Sequence, residues 1–427
     1  MSPATTPAPE RAAVVVGGNR TPFVKAGGAY AAASDHDLLT AALDGLVARF
    51  GLAGQRLDEV VGGAVLKHTR DFNLTREAVL SSALDPRTPA CDLQQACGTG
   101  LAAVVYLANK IALGQSEVGI AGGVDSASDA PIAVSEPLRR ALLAANAARS
   151  LSARLKALAG IRPRHLAPET PRVVEPRTGL SMGEHQALTN AAWGISRHAQ
   201  DELAAASHHR LAAAWEAGFF DDLVTGYLGV SRDGVLRPDT SEEKLAALRP
   251  VFGDTMTAGN STALTDGAAT VLLASPDWAA AQHLPALARV VDSQVAAVDH
   301  PAGADLLLAP VEAAGRLLAR QGLGVDDIDL YEVHEAFAGT VLATLAAWES
   351  DEYCRSVGLP GAIGRVDTTR LNVDGSSLAA GHPFAATGAR IVAGLAKRLH
   401  ERGPGSRGLV SICAAGGQGV VALLEGV

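Results

Sequence analysis

The sequence DLQQACGTGL, at residues 92–101, carries a cysteine between a polar turn and an apolar run. The apolar residues that follow recur at helical spacing: Leu101, Val104, Val105 and Ala108. This spacing predicts a helix that starts just after Cys97. The run VGIAGG at 118–123 then has the pattern of a strand and a turn. The small residues around Cys97 would let a substrate reach its sulfur, which a buried structural cysteine does not require.

The alternation of strands and helices continues on both sides of this segment. A strand is predicted at Ala12–Gly18, a helix at Leu38–Phe50 and a second strand at Val60–Val65. Three segments in the C-terminal third also have strand and helix patterns separated by turns: 328–338, 381–399 and 408–425. This alternation predicts an α/β fold with a mostly parallel sheet covered by helices. Small residues at corresponding turns indicate a duplicated α/β unit.

Composition limits the classes of function. The chain has 427 residues, 48% of them hydrophobic, and a net charge of −9, which argues against a nucleic-acid binder. It contains no apolar run of the ~18 residues that a membrane span requires. Residues 1–11 are predicted to be disordered and lack the apolar core of a signal peptide, so we expect a cytoplasmic protein. The four cysteines lack C-x-x-C spacing, so neither a zinc site nor a disulfide framework is expected.

The character of the sequence changes between residues 126 and 254, which we interpret as an insertion into the first half. Its segment 137–168 contains seven arginines and lysines and no acidic residue. Leucines near helical spacing predict that part of this segment is a basic amphipathic helix. A longer helix is predicted to open at Ser196. The basic segment either contacts an anionic partner or is a solvated helix surface.

Cys97 is the first candidate for chemistry. The thiolate is the nucleophilic form of cysteine, and the N–H groups and dipole of a helix N-terminus stabilise it. Gly98 and Gly100 leave backbone amides accessible, as an oxyanion site requires. The alternative is a buried structural thiol, and position alone does not separate the two interpretations.

His382 and Cys413 are the next candidates. His382 lies in a turn between Gly381 and Pro383, where a ring nitrogen can take a proton from a thiol or stabilise an oxyanion. Cys413 closes a strand before a glycine turn. There it either exchanges a proton with a carbon acid or fills an apolar strand end.

A histidine and a carboxylate, His334 and Glu335, stand together at a strand-to-helix step. They can orient a water or a carbonyl oxygen, while Glu335 could equally be a first-turn residue favoured by the helix dipole. Cys91 and Cys354 have no comparable surroundings, and we assign both to structure.

Six segments occur in the order typical of one enzyme family: ACGTG, GGVDSAS, TMTAGNSTALTDGAA, HEAFA, NVDGSSLAAGHPFAATGAR and CAAGGQG. They begin at residues 96, 122, 255, 334, 372 and 413. On these motifs the chain, from Ala12 to its end, resembles the thiolase superfamily. His334, where many thiolases carry asparagine, and the basic insertion look most like the β-subunits of multienzyme fatty-acid oxidation complexes.

The resemblance implies an α/β thiolase fold, with two duplicated βαβαβαββ halves in a layered αβαβα arrangement and an inserted helical loop domain. The N-terminal half would comprise 12–125 and 255–280, the loop domain 126–254, and the C-terminal half 281–427.

The resemblance also implies an activity, the thiolytic cleavage of 3-ketoacyl-CoA by ping-pong acyl transfer, with no metal or redox cofactor. Cys97 would be the acylated nucleophile, His382 its activating base and Cys413 the acid/base at the α-carbon. One oxyanion hole would consist of His382 and a water held by His334. The backbone N–H groups of Cys97 and Ala415 would form the other.

By the same resemblance four residues would bind CoA or the acyl chain: Met182, Ser261, Thr262 and Phe337. The sequence departs from the family pattern at several points. Ala415 and Ser376 stand where many thiolases have glycine, and Thr262 stands where serine is common. The segment SMGEHQALTN, at 181–190, matches only in its Met-Gly pair, so substrate preference stays open.

Three other functions remain. A biosynthetic acetoacetyl-CoA thiolase shares every catalytic residue. A ketoacyl synthase pairs its cysteine with two histidines, and Cys413 stands where one of them is needed. A non-catalytic binding subunit would not need Cys97, His382 and Cys413 together.

The expected ligands are acyl-CoA and CoA. The chain is expected to form a homodimer or homotetramer, or to bind a hydratase/dehydrogenase α-subunit. Segment 137–168 would face CoA phosphates, an anionic membrane or a partner subunit.

Overall fold

The computed structural model describes residues 11–303 and 305–427, so the predicted disordered segment 1–11 lies outside it except for Arg11. The helices are α1 Asp35–Phe50, α2 Leu74–Ser81, α3 Thr99–Ala112, α4 Glu136–Ala147, α5 Leu151–Leu158, α6 Met182–Ala192, α7 Arg197–Glu216, α8 Glu242–Ala246, α9 Pro276–Ala281, α10 Ala309–Gln321, α11 Ala338–Glu349, α12 Asp351–Ser356, α13 Ser377–Ala380 and α14 Ala386–Arg402. The strands are β1 Val14–Arg20, β2 Val24–Lys25, β3 Glu59–Gly62, β4 Ala90–Asp92, β5 Val118–Ser126, β6 Ala133–Val134, β7 Pro168–Glu169, β8 Pro250–Phe252, β9 Met256–Thr257, β10 Thr265–Ala274, β11 Ala288–Ala297, β12 Leu330–Val333, β13 Arg407–Ala414 and β14 Gln418–Gly426.

Most strands join one sheet in the order β12-β13-β14-β11-β1-β10-β5-β3-β4, with β2 beside β10. The expectation of a mostly parallel sheet is wrong, because parallel pairing is confined to β3–β4, β3–β5 and β12–β13. Two features add antiparallel pairs: β13 and β14 form a tight hairpin, and β10 returns from the insertion to lie between β1 and β5.

The predicted duplication and layering are visible in the packing. The chain divides the sheet into an N-terminal part, β1 to β5 with β10, and a C-terminal part, β11 to β14, which meet at the short β1–β11 pairing. Helices α3 and α14 pack against strands of both parts, while α1 covers the outer face of the first and α10 that of the second. The two parts of the sheet therefore count as two layers, with α3 and α14 between them and α1 and α10 outside. The order helix, sheet, helix, sheet, helix confirms the predicted fold class.

The two central helices approach each other closely through glycines. A Cβ added to Gly388 of α14 would lie 2.2 Å from the backbone nitrogen of Leu101, and one added to Gly100 would lie 2.5 Å from the carbonyl oxygen of Ala385. These contacts bring the start of α3, just after Cys97, against the turn that carries His382.

The inserted region contains α4 to α8, and part of its basic segment is helical, as predicted. The segment holds two short helices, α4 and α5, and neither of them has a buried residue. Leu142, Leu151 and Leu155 are 47%, 73% and 61% exposed. Glu136, directly before the segment, pairs with Arg139 and Arg140. The predicted long helix is α7, and the Ser196 side chain caps it by accepting from the Ala199 N–H at 3.1 Å.

No helix in the described part of the chain is long and apolar enough to cross a membrane.

Candidate active site

Cys97 lies on a strained turn that leads into α3. Ala96 has a φ of +46°, in the left-handed region that non-glycine residues rarely occupy. The Thr99 hydroxyl closes the turn, because it accepts from the Gln95 N–H at 2.8 Å and donates to the Ala96 carbonyl at 2.7 Å. The half-buried Cys97 therefore stands at the N-terminus of the helix, as the sequence predicts.

The turn after β13 meets the Cys97 turn. Gln95 Nε2 donates to Gln418 Oε1 at 3.3 Å, and a Cβ on Gly98 would lie 2.9 Å from Val420. Burial raises the pKa of the Cys97 thiol to about 12, and a hydrogen bond from the Ala415 N–H opposes this rise. Burial also raises the pKa of Cys413, and the neighbouring Cys97 raises it further. The two thiols and the Ala415 amide thus occupy one site.

His382 and His334 lie side by side, with ring centroids 4.2 Å apart. Their Nδ1 atoms are bound to hydroxyls: His382 Nδ1 to Thr387 Oγ1 at 2.5 Å, and His334 Nδ1 to Ser377 Oγ at 2.8 Å. Within residues 11–303 and 305–427, neither Nε2 atom has a hydrogen-bond partner, although both are buried. Each ring is therefore oriented through one nitrogen, which leaves the other to act on a substrate.

The Ser377 hydroxyl also contacts a cation. The Arg390 guanidinium donates to Ser377 Oγ at 3.2 Å, and that oxygen lies 2.8 Å from His334 Nδ1. A hydroxyl has two lone pairs and one proton, so Ser377 Oγ either donates to His334 Nδ1 or accepts from it. When Ser377 donates, the ring proton is on Nε2, which makes Nε2 the hydrogen-bond donor that an oxyanion requires.

Both histidines are neutral at pH 7. Burial, and to a smaller extent the nearby Arg390, lower the pKa of His382 to about 3. Burial, His382 and Arg390 lower the pKa of His334 well below its ordinary value. A neutral imidazole at His382 can accept a proton, while the protonated Cys97 thiol must lose one during attack.

Comparison with known proteins agrees with this geometry. The family models for the thiolase N-terminal domain and the thiolase C-terminal domain match residues 13–277 and 284–426. The chain belongs to the thiolase family. The 3-ketoacyl-CoA thiolases of Yersinia pestis and Yersinia pseudotuberculosis are 41% identical to it over 422 residues, 96% of either chain.

Solved thiolase structures superpose on nearly the whole chain. A human mitochondrial 3-ketoacyl-CoA thiolase in complex with CoA is 30% identical with a TM-score of 0.81, and it covers 98% of this chain and 99% of its own. A Bacillus anthracis acetyl-CoA acetyltransferase is 29% identical with a TM-score of 0.81, covering 99% and 100%.

The four residues predicted to bind CoA or the acyl chain lie around the thiolase site. Met182 and Phe337 pack against a buried apolar cluster of Cys413, Leu306 and Leu307. Ser261 forms a β-bridge with Phe337, and its buried Oγ has no hydrogen-bond partner in the described chain. The Thr262 hydroxyl instead donates to the Ser377 carbonyl at 2.8 Å, so it also fixes the loop beside His334.

Glu335 is neither a first-turn residue nor free to orient a substrate. Helix α11 begins three residues later, at Ala338, and the buried carboxylate is occupied by the chain itself. It accepts from Ser207 Oγ at 2.7 Å, Asn372 Nδ2 at 2.8 Å and the Leu378 N–H at 3.1 Å. Glu335 therefore holds α7 and the 372–378 loop together under the histidines.

The structure also shows the surroundings of the two predicted structural cysteines and of the residues that depart from the family pattern. Cys354 is buried and donates to the Ala347 carbonyl at 3.3 Å, while Cys91 lies half-buried in β4. Ser376 Oγ accepts from Arg390 at 3.0 Å. Ala415 has no positive φ, because Gly416 and Gly417 take the left-handed positions of the turn.

The residues that orient the two histidines were not predicted from the sequence. Thr387, Ser377 and Arg390 all lie inside the quoted motif 372–390, but their roles depend on contacts through space. The only available signal was the set of hydroxyl and guanidinium groups in a stretch otherwise made of small apolar residues.

No group of three or more His, Cys, Asp or Glu residues in the described part of the chain is arranged to hold a metal ion.

Proposed function

We propose that this chain is a 3-ketoacyl-CoA thiolase, which cleaves 3-ketoacyl-CoA with CoA into acetyl-CoA and a shortened acyl-CoA. The observation that carries the proposal is the packing around Cys97: its thiol neighbours the Cys413 thiol and the Ala415 amide, and the start of its helix packs against the turn that carries His382, whose ring lies beside that of His334. The named relatives at 41% identity support the same activity.

In the first half-reaction, His382 Nε2 takes the proton of the Cys97 thiol as the sulfur attacks the 3-keto carbon. The N–H groups of Cys97 and Ala415 stabilise the resulting oxyanion. The bond between C2 and C3 then breaks, and its electron pair forms the enolate of acetyl-CoA. His382, and His334 through a water, donate to the enolate oxygen while Cys413 protonates C2.

In the second half-reaction, the Cys413 thiolate takes the proton of the incoming CoA thiol. The CoA sulfur attacks the acyl-Cys97 thioester, and the acyl group leaves as acyl-CoA. The Cys97 thiolate then recovers its proton from His382. The two substrates, 3-ketoacyl-CoA and CoA, and the side chains of Cys97, His334, His382 and Cys413 supply all the protons and electron pairs of both half-reactions.

Mass spectrometry of the intact protein and of its peptides tests this proposal. After mixing with 3-ketoacyl-CoA thioesters of increasing chain length, we expect an acyl adduct on the Cys97 peptide that disappears when free CoA is added. Preference for acetoacetyl-CoA alone would favour the biosynthetic acetoacetyl-CoA thiolase, which the acetyl-CoA acetyltransferase neighbour makes the second candidate. Absence of an adduct with every thioester, in folded protein, would favour a non-catalytic binding subunit.

We also propose a cytoplasmic enzyme that works as a homodimer or homotetramer, or with a hydratase/dehydrogenase α-subunit. A role in fatty-acid degradation is part of the same proposal, and the 3-ketoacyl-CoA thiolase activity named for the relatives supports it. Size-exclusion chromatography with light scattering measures the assembly, and a monomeric mass would contradict it.

The two helices α4 and α5 are proposed to contact an anionic membrane surface, because they combine exposed leucines with basic side chains. Neutralising Arg149, Arg154 and Lys156 with glutamine should weaken sedimentation with vesicles that contain anionic lipid. A matched variant neutralises three exposed arginines on other surfaces: Arg56, Arg316 and Arg355. Equal sedimentation of both variants would contradict the proposal, and a selective loss of CoA affinity or of a co-purified subunit would assign the segment to that partner.

A further inference from the structure

One buried carboxylate connects the inserted region to the turn that carries Ala415. Glu175 is only 8% exposed, and its Oε1 accepts a hydrogen bond from the Gly416 N–H at 2.8 Å. The backbone of Glu175 is itself fixed, because its N–H donates to the Leu180 carbonyl and its carbonyl accepts from the Gly179 N–H, both at 2.8 Å. The carboxylate is therefore presented from a closed turn.

The turn that receives this hydrogen bond is intrinsically flexible. Gly416 and Gly417 have φ values of +79° and +69°, and two consecutive glycines exchange easily between backbone conformations. Contacts from outside the β13–β14 hairpin hold both glycines. The Val298 N–H donates to the Gly417 carbonyl at 2.8 Å, and a Cβ on Gly417 would lie 2.9 Å from His300 Nδ1.

His300 also links these contacts to Glu175. Its Nε2 lies 3.7 Å from Glu175 Oε2, and its ring meets the ring of His185 edge-on at 5.9 Å. Thr178 Oγ1 holds the His185 ring at 2.8 Å. Glu175, His185 and His300 thus form one buried polar cluster beside the glycine turn, and Glu175 is the member of this cluster that accepts a backbone N–H of the turn.

We propose that Glu175 is a positioning residue that keeps the Ala415 N–H aimed at the reaction centre on Cys97. The amides of Ala415 and Gly416 are adjacent in the chain, so a carboxylate that fixes the second restricts the orientation of the first. Without this acceptor, the peptide plane between Ala415 and Gly416 is free to rotate, and the flexible turn can carry the Ala415 N–H away from the position of the oxyanion. The inference rests on the proposed function, since this amide acts only if Cys97 forms an acyl-enzyme.

The test compares Glu175→Ala with Glu175→Gln in single-turnover acylation of Cys97, followed by mass spectrometry. The alanine variant should lower the rate constants of acylation and of CoA-dependent deacylation together by about tenfold to a hundredfold, the range for groups that orient a reacting group from outside. Its KM for acyl-CoA should change little. Glutamine keeps an oxygen acceptor at the same reach and should restore most of the rate.

A further variant and a matched control separate positioning from folding. Glu175→Asp keeps the charge but is one methylene too short, so it should lose rate like the alanine variant. Glu169 is exposed in the same region and accepts only a long hydrogen bond, from the Glu136 N–H at 3.3 Å, so Glu169→Ala should leave the rate unchanged. Thermal unfolding of each variant reports on folding.

Distinct outcomes would overturn the positioning role and the proposed function. Acylation of Glu175→Ala at the wild-type rate, or equal losses in the alanine and glutamine variants, would overturn the role of the Glu175 acceptor. An aspartate variant as fast as wild type would do the same. A wild-type protein that forms no acyl-enzyme would instead contradict the proposed function.

Discussion

The Cys97 thiol and the His382 imidazole form a neutral pair before substrate binds. Burial raises the pKa of the thiol to about 12 and lowers the pKa of His382 to about 3. A thiolate–imidazolium ion pair would form only if the pKa of His382 were higher than that of the Cys97 thiol. In the proposed mechanism the proton therefore moves while the carbon–sulfur bond forms, and Thr387 orients the His382 ring for that step.

This neutral pair predicts the pH dependence of acylation. His382 stays unprotonated above its lowered pKa and Cys97 stays protonated below its raised pKa, so neither group changes its state between pH 5.5 and 9. The single-turnover acylation rate without free CoA should vary less than about threefold across that range. An inflection near pH 6.5, the ordinary pKa of histidine, would contradict a neutral His382 buried in the resting enzyme.

Cys413 is predicted to matter most for the carbon acid. In a Cys413→Ser variant, acylation of Cys97 by a simple acyl-CoA should survive, because that step needs no proton at the α-carbon and the CoA sulfur can leave as a thiolate without a proton from Cys413. Condensation of two acetyl-CoA molecules should fall by about a hundredfold or more, since a hydroxyl is a far weaker acid than a thiol. Acylation is measured by mass spectrometry and condensation by product formation, and near-normal condensation would remove Cys413 from the mechanism.

At the residue scale, the sequence predicts which side chains react but not which residues orient them. Cys97, His382 and Cys413 stand out because each occupies a turn of small residues beside a strand or helix. Thr387 and Ser377 become visible only when the backbone brings their hydroxyls to the Nδ1 atoms of the two rings. No local pattern encodes the Arg390–Ser377 contact beside His334.

At the scale of elements, the close packing of α3 and α14 predicts opposite effects for two glycines of one helix. Gly388→Ala should destabilise the protein by about 3 kcal/mol or more, because its Cβ would meet the backbone nitrogen of Leu101, which cannot move independently. Gly394→Ala should stabilise it by roughly 0.5–1 kcal/mol, since no other atom lies within 4 Å of the added carbon. Urea unfolding measures both, and equal effects would contradict the packing.

The elements themselves were easier to predict than their arrangement. Hydrophobic periodicity located α1, α3 and α7, because each buries one face or opens at a capping residue. Strand direction was predicted wrongly, since β10 follows the long insertion and nothing local indicates that it returns between β1 and β5. The split of segment 137–168 into α4 and α5 was also missed, because its leucines do not contact a core.

At the scale of the whole molecule, two buried aspartates connect layers that are distant in sequence. Asp125, at the end of β5, accepts from the N–H groups of Val65 and Ala385, both at 2.8 Å, and so joins the two halves beside the His382 turn. Asp35, in the first turn of α1, accepts from the Ser126 N–H at 2.7 Å. Burial raises the pKa of both carboxyls, and the charge of Asp125 raises that of Asp35 further.

These raised pKa values predict how stability changes with pH. Between the ordinary pKa of an aspartate and the raised value, the folded state holds protons that the unfolded state has released, so stability falls as pH rises. The two buried histidines have lowered pKa values and act in the opposite direction, but only below the ordinary histidine pKa of about 6.5. Above pH 7 the pH dependence of stability that these four groups cause therefore comes from the two aspartates.

Asp35→Asn isolates this effect, because asparagine keeps the oxygen that accepts from Ser126 and carries no charge at any pH. The melting temperature of the variant should fall less than that of the wild type between pH 7 and 9, by about 1 °C or more, since ~1 kcal/mol shifts the midpoint of a 427-residue protein by roughly 1 °C at the usual unfolding entropy per residue. Asp277→Asn, at an exposed position of α9, is the matched control and should retain the wild-type slope. Calorimetry across this range measures all three proteins. An Asp35→Asn slope equal to that of the wild type would mean that Asp35 is already ionised in the folded protein, and the junction between the two halves would then tolerate two buried charges.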